Sequence, residues 1–234
     1  MKLPIAKPAY VVYAGPSALN GDPIIAILTG TQAPSQNVKT GPMAQLWILV
    51  DDETPQGAQR SGADAAVCGN CPMRPLSDSG EPRCYVKTFQ GPLATWKSRR
   101  SDTPDLAGAL RAVSGMALRL GAYGDPAAIP ESSGIVQSLC DSAVTWTGYT
   151  HQWRAERHRW LQPYCMASVE SDRDAWRAWR EGWRTFRVAR QAQSHALGGY
   201  EVECPYTSRG VQCIDCGLCM GSSRAAKSIV ITAH

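Results

Sequence analysis

The sequence lacks any long apolar run and carries little net charge. No stretch approaches the roughly 18 consecutive apolar residues that a membrane-spanning helix needs, and the first residues, Met1 to Pro4, lack the apolar segment of a signal peptide. The net charge is +4 over 234 residues. These absences predict a cytoplasmic protein with no membrane partner. The hydrophobic fraction of 44% is enough for the buried core of one domain, residues 1–234.

Phenylalanine is also scarce, with two residues against eight tryptophans. Many of the tryptophans lie beside arginine between Trp153 and Arg190, a mixture that suits stacking on bases and contact with phosphates. Trp176, Trp179 and Trp183 fall at helical spacing, however, which is typical of a stripe that packs against a core. The composition therefore permits a nucleic-acid partner without establishing one.

Nine cysteines cluster at short spacings, which favours metal binding over disulfides in a chain with no export signal. Cys213, Cys216 and Cys219 are each separated by two residues, and Cys204 precedes a proline upstream. Thiolates at this spacing can surround one corner of a 4Fe-4S cluster, with Cys204 as the fourth ligand, and the loop resembles that of bacterial ferredoxins. The same four thiolates could instead bind zinc tetrahedrally.

A second group consists of Cys68, Cys71 and Cys84. Three thiolates on a 4Fe-4S cluster leave one iron open, and an open iron can bind the amino and carboxylate groups of S-adenosylmethionine. The alternative is a zinc site completed by Cys140, Cys165 or a histidine. Because Cys140 and Cys165 lie in apolar contexts, we expect them to be buried packing residues.

Apolar periodicity predicts an α/β fold. Three apolar runs at residues 9–13, 24–28 and 45–50 predict β-strands before the first cysteine group. From residue 116 onward strands and helices alternate, which predicts a parallel sheet covered by helices as a partial or complete barrel. The predicted layout is a β-rich lead-in at 1–50, the first cysteine loop at 51–100, β/α repeats at 101–200, and the C-terminal cysteine loop with the last strand at 201–234. The predicted repeat strands are 116–123, 144–149, 164–169, 183–188 and 228–232, and the predicted helices are 130–143, 155–161 and 172–181.

Polar side chains follow four of these predicted strands. Parallel strands joined by right-handed crossovers end at the same edge of a sheet, so we expect Asp125, His151, Glu170 and Arg187 to converge there as a catalytic site. Asp125 and His151 suit proton transfer or substrate orientation. Arg187 suits an anionic group of the substrate.

Together these motifs resemble the radical S-adenosylmethionine enzymes that carry an auxiliary cluster on a partial β/α barrel. They resemble more closely the radical-SAM-like proteins encoded by phages and plasmids, a group that brings no known reaction with it. The resemblance implies that the first cysteine group holds the catalytic cluster and the second the auxiliary one. It also implies cofactor contacts from Gly121, Tyr123, Gly124 and Asp125. The departures are the twelve residues between Cys71 and Cys84, where those enzymes have a compact Cys-x-x-x-Cys-x-x-Cys motif, and Gly-Asp-Pro in place of Gly-Gly-Glu-Pro.

The resulting prediction is an iron-sulfur enzyme that acts on a nucleotide or nucleic-acid-derived substrate, with one or two 4Fe-4S clusters. One alternative is a nucleic-acid-binding protein whose fold is stabilised by structural zinc. Another is a base-exchanging barrel similar to the tRNA-guanine transglycosylases, with structural zinc and Asp125 or Glu170 as nucleophile. The sequence does not predict the oligomeric state.

Overall fold

The computed structural model describes residues 9–33, 35–74, 84–99, 103–189, 196–222 and 224–232. It begins with an antiparallel unit formed by β1 (Tyr10–Pro16), β2 (Pro23–Thr29) and β3 (Ala44–Val50). These strands form because each is a short apolar run bounded by turn-forming residues, and their side chains are largely buried. The predicted β-rich lead-in is confirmed.

The other strands pair in parallel and complete two five-stranded sheets. The first sheet has the order β1-β2-β3-β4-β5 and the second the order β6-β7-β8-β10-β9. The mixed α/β class and the parallel sheet are therefore confirmed. The bounds of these strands are β4 Ala117–Tyr123, β5 Thr145–Thr147, β6 Tyr149–Thr150, β7 Met166–Val169, β8 Thr185–Ala189, β9 Glu201–Glu203 and β10 Ser228–Thr232.

Gly148 separates β5 from β6 and marks the junction between the two sheets. Its N–H donates to the Cys219 carbonyl at 3.3 Å, and its carbonyl accepts from the Met166 N–H at 2.9 Å. A Cβ at this position would collide with the Tyr164 carbonyl oxygen. The strand predicted over 144–149 is thus two strands, because the C-terminal cysteine segment makes a backbone contact at the glycine.

Eight α-helices and four short 3₁₀ turns connect the described strands. Helices α4, α5 and α6 lie between strands as the alternation predicts, and side chains of Asp105 and Ser171 cap the first and last of them. The segment predicted as a helix over 155–161 is 3₁₀ rather than α. The helices are α1 Pro55–Ser61, α2 Ala65–Cys68, α3 Gly91–Ser98, α4 Leu106–Val113, α5 Ile135–Ser142, α6 Asp172–Arg180, α7 Pro205–Arg209 and α8 Cys213–Cys216. The 3₁₀ turns are Pro126–Ala128, Glu131–Ser133, Gln152–Arg154 and Glu156–Leu161.

One apolar core receives side chains from both sheets, including Ile25, Leu118 and Ala167. A smaller cluster packs around Met166 and Ile229 of the second sheet and includes two cysteines. No pairing joins β1 to β9 at the outer edges of the described sheets, so the described strands do not close into a complete barrel. Within the same residues, no helix combines the length and apolar character needed to cross a membrane.

Candidate metal centres

The first cysteine site, defined as Cys68, Cys71 and Cys84, lies beside the end of β4. Helix α2 ends at Cys68, whose carbonyl accepts from the Cys71 N–H at 3.1 Å. The Asp125 N–H donates to the Val67 carbonyl at 2.7 Å, which ties this helix to the residues after β4. Burial raises the pKa of Cys68 well above its usual value, and the nearby charges of Cys71, Asp64 and Cys84 raise it further. The three half-buried thiols are therefore close enough to influence one another's ionisation.

Asp125 organises the backbone around this site. Its Oδ1 accepts from the Ala127 N–H at 3.0 Å and its Oδ2 from the His151 N–H at 2.8 Å. The residue is only 6% exposed, and burial raises the pKa of its carboxyl despite these hydrogen bonds. Because both oxygens bind backbone N–H groups, the geometry favours a positioning role and gives no support to Asp125 as a nucleophile.

His151 and its neighbour Gln152 connect the strand ends to the first cysteine site. His151 Nε2 lies 2.8 Å from Glu170 Oε1, and the Gln152 side-chain amide donates to the Cys68 carbonyl at 3.1 Å. Burial lowers the pKa of His151, but the neighbouring Cys71 thiol and Glu170 carboxylate outweigh burial and raise that pKa to about 10. The structure thus brings His151 and Glu170 together at the strand ends, as predicted, and it also places them beside the first cysteine site.

Of the predicted cofactor residues, Tyr123 at the end of β4 lies near this site. Burial raises the pKa of its hydroxyl, and the neighbouring Cys68, Asp64 and Cys84 side chains raise it further. Gly121 and Gly124 have φ of +62° and +82°. A Cβ on Gly121 would lie 2.5 Å from the Gly124 carbonyl oxygen, and one on Gly124 would collide with the Ile48 carbonyl. These glycines therefore have a conformational role of their own, independent of any cofactor.

Arg187 has different neighbours from the other three predicted catalytic residues. It is 1% exposed, and its guanidinium binds Glu201 of β9 at 2.8 Å and Asp172 at the start of α6 at 2.9 Å. The adjacent β8 residue Phe186 instead packs in the smaller apolar cluster with the C-terminal cysteines. The expectation that Arg187 meets an anionic substrate neglected this alternation, because Arg187 points to the α6 side of the sheet. The geometry gives it a structural ion-pair role.

The second cysteine site, defined as Cys204, Cys213, Cys216 and Cys219, surrounds a cavity on the face of the second sheet that carries Phe186. The rest of the lining is mostly apolar, including Phe186 and Ile229, but Lys39 and Thr147 also border the cavity. The structure thus brings together the four cysteines predicted as one ligand set. Helix α8 presents Cys213 and Cys216, and its first N–H donates to the Lys39 carbonyl at 3.0 Å.

An arginine and a tyrosine support this second site. Buried Arg184 donates to the carbonyls of Leu218 and Gly221, both at 2.8 Å, and fixes the loop that carries Cys219. Tyr149 lines the same cavity as Cys219, and burial raises the pKa of the Cys219 thiol to about 12. Sequence reasoning missed both residues. The position of Tyr149 inside a predicted strand was the available signal for it, since alternate strand residues face one side of a sheet.

The donor chemistry of both sites fits a thiophilic metal or cluster. All nine cysteines are free thiols, and Cys140 and Cys165 are buried in the main core, in agreement with the prediction for packing residues. In the described residues no three His, Cys, Asp or Glu side chains already stand at metal-binding geometry. Thiolates in a low-dielectric setting are the ligands that zinc and iron-sulfur clusters take.

A partly exposed aromatic cluster is formed by Trp176 and Trp179 of α6 with Tyr200, which precedes β9. Trp176 is 46% and Tyr200 is 55% exposed, and their ring centroids are 5.2 Å apart. Tyr200 also stacks on Trp179 with centroids 4.9 Å apart and an interplanar angle of 15°. Trp153 and Trp183, in contrast, are buried in the main core. The tryptophan-rich segment is therefore divided between core packing and an exposed face.

The chain matches no protein-family model, no curated protein and no solved structure.

Proposed function

We propose that this protein is an iron-sulfur enzyme of the radical S-adenosylmethionine type, acting on a nucleotide or nucleic-acid-derived substrate. The observation that carries the proposal is the arrangement of the first cysteine site. Cys68, one of three free thiols in this site, is tied to the residues that follow parallel strands: Asp125 N–H donates to the Val67 carbonyl and the Gln152 side chain donates to the Cys68 carbonyl. The hydrogen-bonded pair of His151 and Glu170 lies at the same strand ends. Active sites of β/α folds lie at this edge of the sheet. The proposal also assumes that the β/α repeats form a partial barrel.

In this proposal the two cysteine sites have different tasks. The first site holds a 4Fe-4S cluster with three thiolates, and the cluster would supply the electron that cleaves bound S-adenosylmethionine to methionine and a carbon radical. The second site holds an auxiliary cluster with four thiolates. Two side chains organise the surroundings of these ligands. Asp125 fixes the backbone of Ala127 and His151 beside the first site, and Arg184 fixes the loop that carries Cys219 in the second.

The decisive test begins with anaerobic purification, followed by iron, sulfide and zinc analysis and a visible spectrum. We expect close to eight irons with matching sulfide when both sites are loaded, since each cube holds four. The reduced protein is then incubated with S-adenosylmethionine, and the release of 5′-deoxyadenosine and methionine is measured.

Two variants assign the results to the sites. Cys68→Ala should remove about half of the iron and abolish cleavage of S-adenosylmethionine. Cys140→Ala, which changes a buried cysteine outside both sites, should retain the iron and the cleavage. Zinc without sulfide in the native protein would overturn the proposal.

A second candidate function is zinc-stapled nucleic-acid binding, and the exposed aromatic face of α6 favours it. Arg173, Trp176 and Arg180 follow one another at helical spacing, and all three are exposed. Exposed aromatic rings beside guanidinium groups suit stacking on unpaired bases and contact with phosphates. This function needs no redox chemistry at either cysteine site.

Single-stranded oligonucleotide binding tests this candidate. We expect affinity to fall steeply with salt and to drop by about 10-fold in Trp176→Ala, because one stacked base contributes about 1–3 kcal/mol. Val144→Ala is the matched control, since Val144 is an exposed apolar residue outside α6. Equal affinity of Trp176→Ala and the native protein would exclude this face as the binding surface.

A further inference from the structure

The fourth position of the first cysteine site has a candidate ligand in His151. Cys68, Cys71 and Cys84 supply three thiols, and a metal or cluster held by three thiolates needs one more donor to complete its coordination. The side-chain amide of Gln152, the residue after His151, donates to the Cys68 carbonyl at 3.1 Å, so His151 lies next to this ligand set.

The orientation of the imidazole is the strongest evidence. Histidines that bind metals almost always donate their other ring N–H to a carboxylate, a carbonyl or water, which fixes the tautomer and turns the ligating nitrogen toward the metal. His151 has this arrangement, because its Nε2 lies 2.8 Å from Glu170 Oε1. With Nε2 occupied by the carboxylate, Nδ1 is the nitrogen left to bind a metal.

The backbone around His151 is also fixed relative to the cysteine loop. The His151 N–H donates to Asp125 Oδ2 at 2.8 Å, and the side-chain amide (Nε2) of the next residue, Gln152, donates to the Cys68 carbonyl at 3.1 Å. A Cβ on Gly69 would come within 2.7 Å of the Gln152 side chain, so glycine allows this close approach. The loop and the histidine are thus held together by hydrogen bonds that a metal does not have to create.

The other donors considered for this position are placed elsewhere. Cys140 and Cys165 are buried in the main apolar core, at 1% and 0% exposure. His158 accepts a hydrogen bond on its Nε2 from Arg157 at 3.1 Å and is buried. His195 and His234 lie outside the described residues.

We propose that His151 is the fourth ligand of the first cysteine site, binding through Nδ1, and that Glu170 is the positioning residue that orients it. This inference rests on the proposed function only in taking Cys68, Cys71 and Cys84 as metal ligands. In a 4Fe-4S form of the site, His151 would bind the fourth iron in the absence of S-adenosylmethionine. In a zinc form, the same four residues would make a closed Cys₃His site.

Pulsed EPR of the full-length protein tests this ligand directly. The protein is produced with natural-abundance or ¹⁵N-labelled histidine, loaded anaerobically with iron and sulfide, and reduced. The second cysteine site contributes thiolates alone, so a strongly coupled histidine nitrogen must come from the first site. We expect such a coupling in the native protein and its replacement by the ¹⁵N pattern in the labelled protein.

Substitutions assign the coupling. It should disappear in His151→Ala and persist in His158→Gln, the matched histidine control. His151→Cys should keep the iron of the first site while losing the coupling, which separates loss of a ligand from loss of fold. Glu170→Gln should keep the coupling but weaken metal retention by about 10–100-fold, as expected when the partner of a metal-bound histidine is removed.

The outcomes separate this inference from the proposed function. A protein with both clusters loaded and no strongly coupled histidine nitrogen, or a coupling that survives in His151→Ala, would overturn the inference and leave the iron-sulfur proposal standing. A coupling unchanged by S-adenosylmethionine would support His151 as ligand and contradict cofactor binding at that iron. If the protein takes only zinc, cadmium substitution and NMR replace EPR, and a cadmium coupling to His151 supports the inference while its absence overturns it.

Discussion

Gly124 is required both by its backbone conformation and by the lack of space for a side chain. Its φ is +82°, and a Cβ would collide with the carbonyl oxygen of Ile48 in the neighbouring strand β3. The glycine therefore allows the chain after β4 to turn back close to β3, which brings Asp125 under helix α2.

Gly124→Ala should consequently lower the free energy of unfolding by more than the cost of a positive φ alone. That cost is about 1–3 kcal/mol for a residue with a Cβ. Gly115→Ala is the matched control, because Gly115 has φ +76° with no atom within 4 Å of the added Cβ. Urea unfolding curves give both losses, and equal losses in the two variants would contradict a steric role for the contact with Ile48.

Removing one proposed ligand, Cys216, tests whether the second cysteine site binds metal. Cys216→Ala should remove the metal of that site, about half of the total if both sites are loaded, and should lower the melting temperature because metal binding is coupled to folding. Metal analysis and thermal unfolding of Cys216→Ala and Cys140→Ala, side by side, check this. Full metal content and unchanged melting in Cys216→Ala would show that this loop binds no metal.

Among the elements, apolar strands were the part of the fold most directly predictable from sequence. Strands β1, β2, β3 and β10 follow short apolar runs, and all four were predicted within a few residues. Strand β9 was missed because its three residues include two glutamates. It pairs with β10, and the ion pair of Glu201 with Arg187 joins it to β8, a contact between distant residues that no local pattern encodes.

That ion pair leads to a prediction about strand β9. Glu201 is 0% exposed, so Glu201→Gln leaves the buried Arg187 guanidinium with one fewer carboxylate. We expect this change to lower the free energy of unfolding by about 3–5 kcal/mol, the usual cost of breaking a buried pair.

The double variant Arg187→Met/Glu201→Leu should be more stable than Glu201→Gln, because it removes the charge as well as its partner. Denaturant unfolding of both variants measures the difference. A double variant that is less stable than Glu201→Gln would mean that the pair contributes more than charge compensation.

The candidate site was partly predictable because it consists of closely spaced cysteines and of polar residues at strand ends, and both patterns can be read from the sequence. Cysteine spacing predicted both groups of neighbouring cysteines, and the parallel alternation predicted that Asp125, His151 and Glu170 share one edge of the sheet. The sequence could not predict which carboxylate would serve as a structural acceptor and which would orient a histidine. That distinction depends on the backbone N–H groups of Ala127 and His151, whose directions are set only by the fold.

The stability of the whole molecule should depend on pH through His158, which lies outside both cysteine sites. Burial lowers the pKa of His158, and the neighbouring Arg157 lowers it further, in agreement with the hydrogen bond that its Nε2 accepts. As the pH falls below about 6.5, the unfolded chain takes up a proton at this residue before the folded chain does. This group therefore destabilises the fold progressively from pH 6.5 downward, until the pH reaches the folded-state pKa.

His158→Gln removes this proton uptake, so its stability should fall less than that of the native protein between pH 7 and pH 5.5. The difference should be at most about 1.4 kcal/mol, since each pKa unit corresponds to 1.36 kcal/mol and the interval below the unfolded-state pKa is about one unit. Urea unfolding of both proteins at the two pH values measures it, and effects of pH on metal–thiolate bonds are common to both. Parallel losses in the two proteins would mean that the buried imidazole takes up its proton as readily as one in water, and that its burial has no part in acid destabilisation.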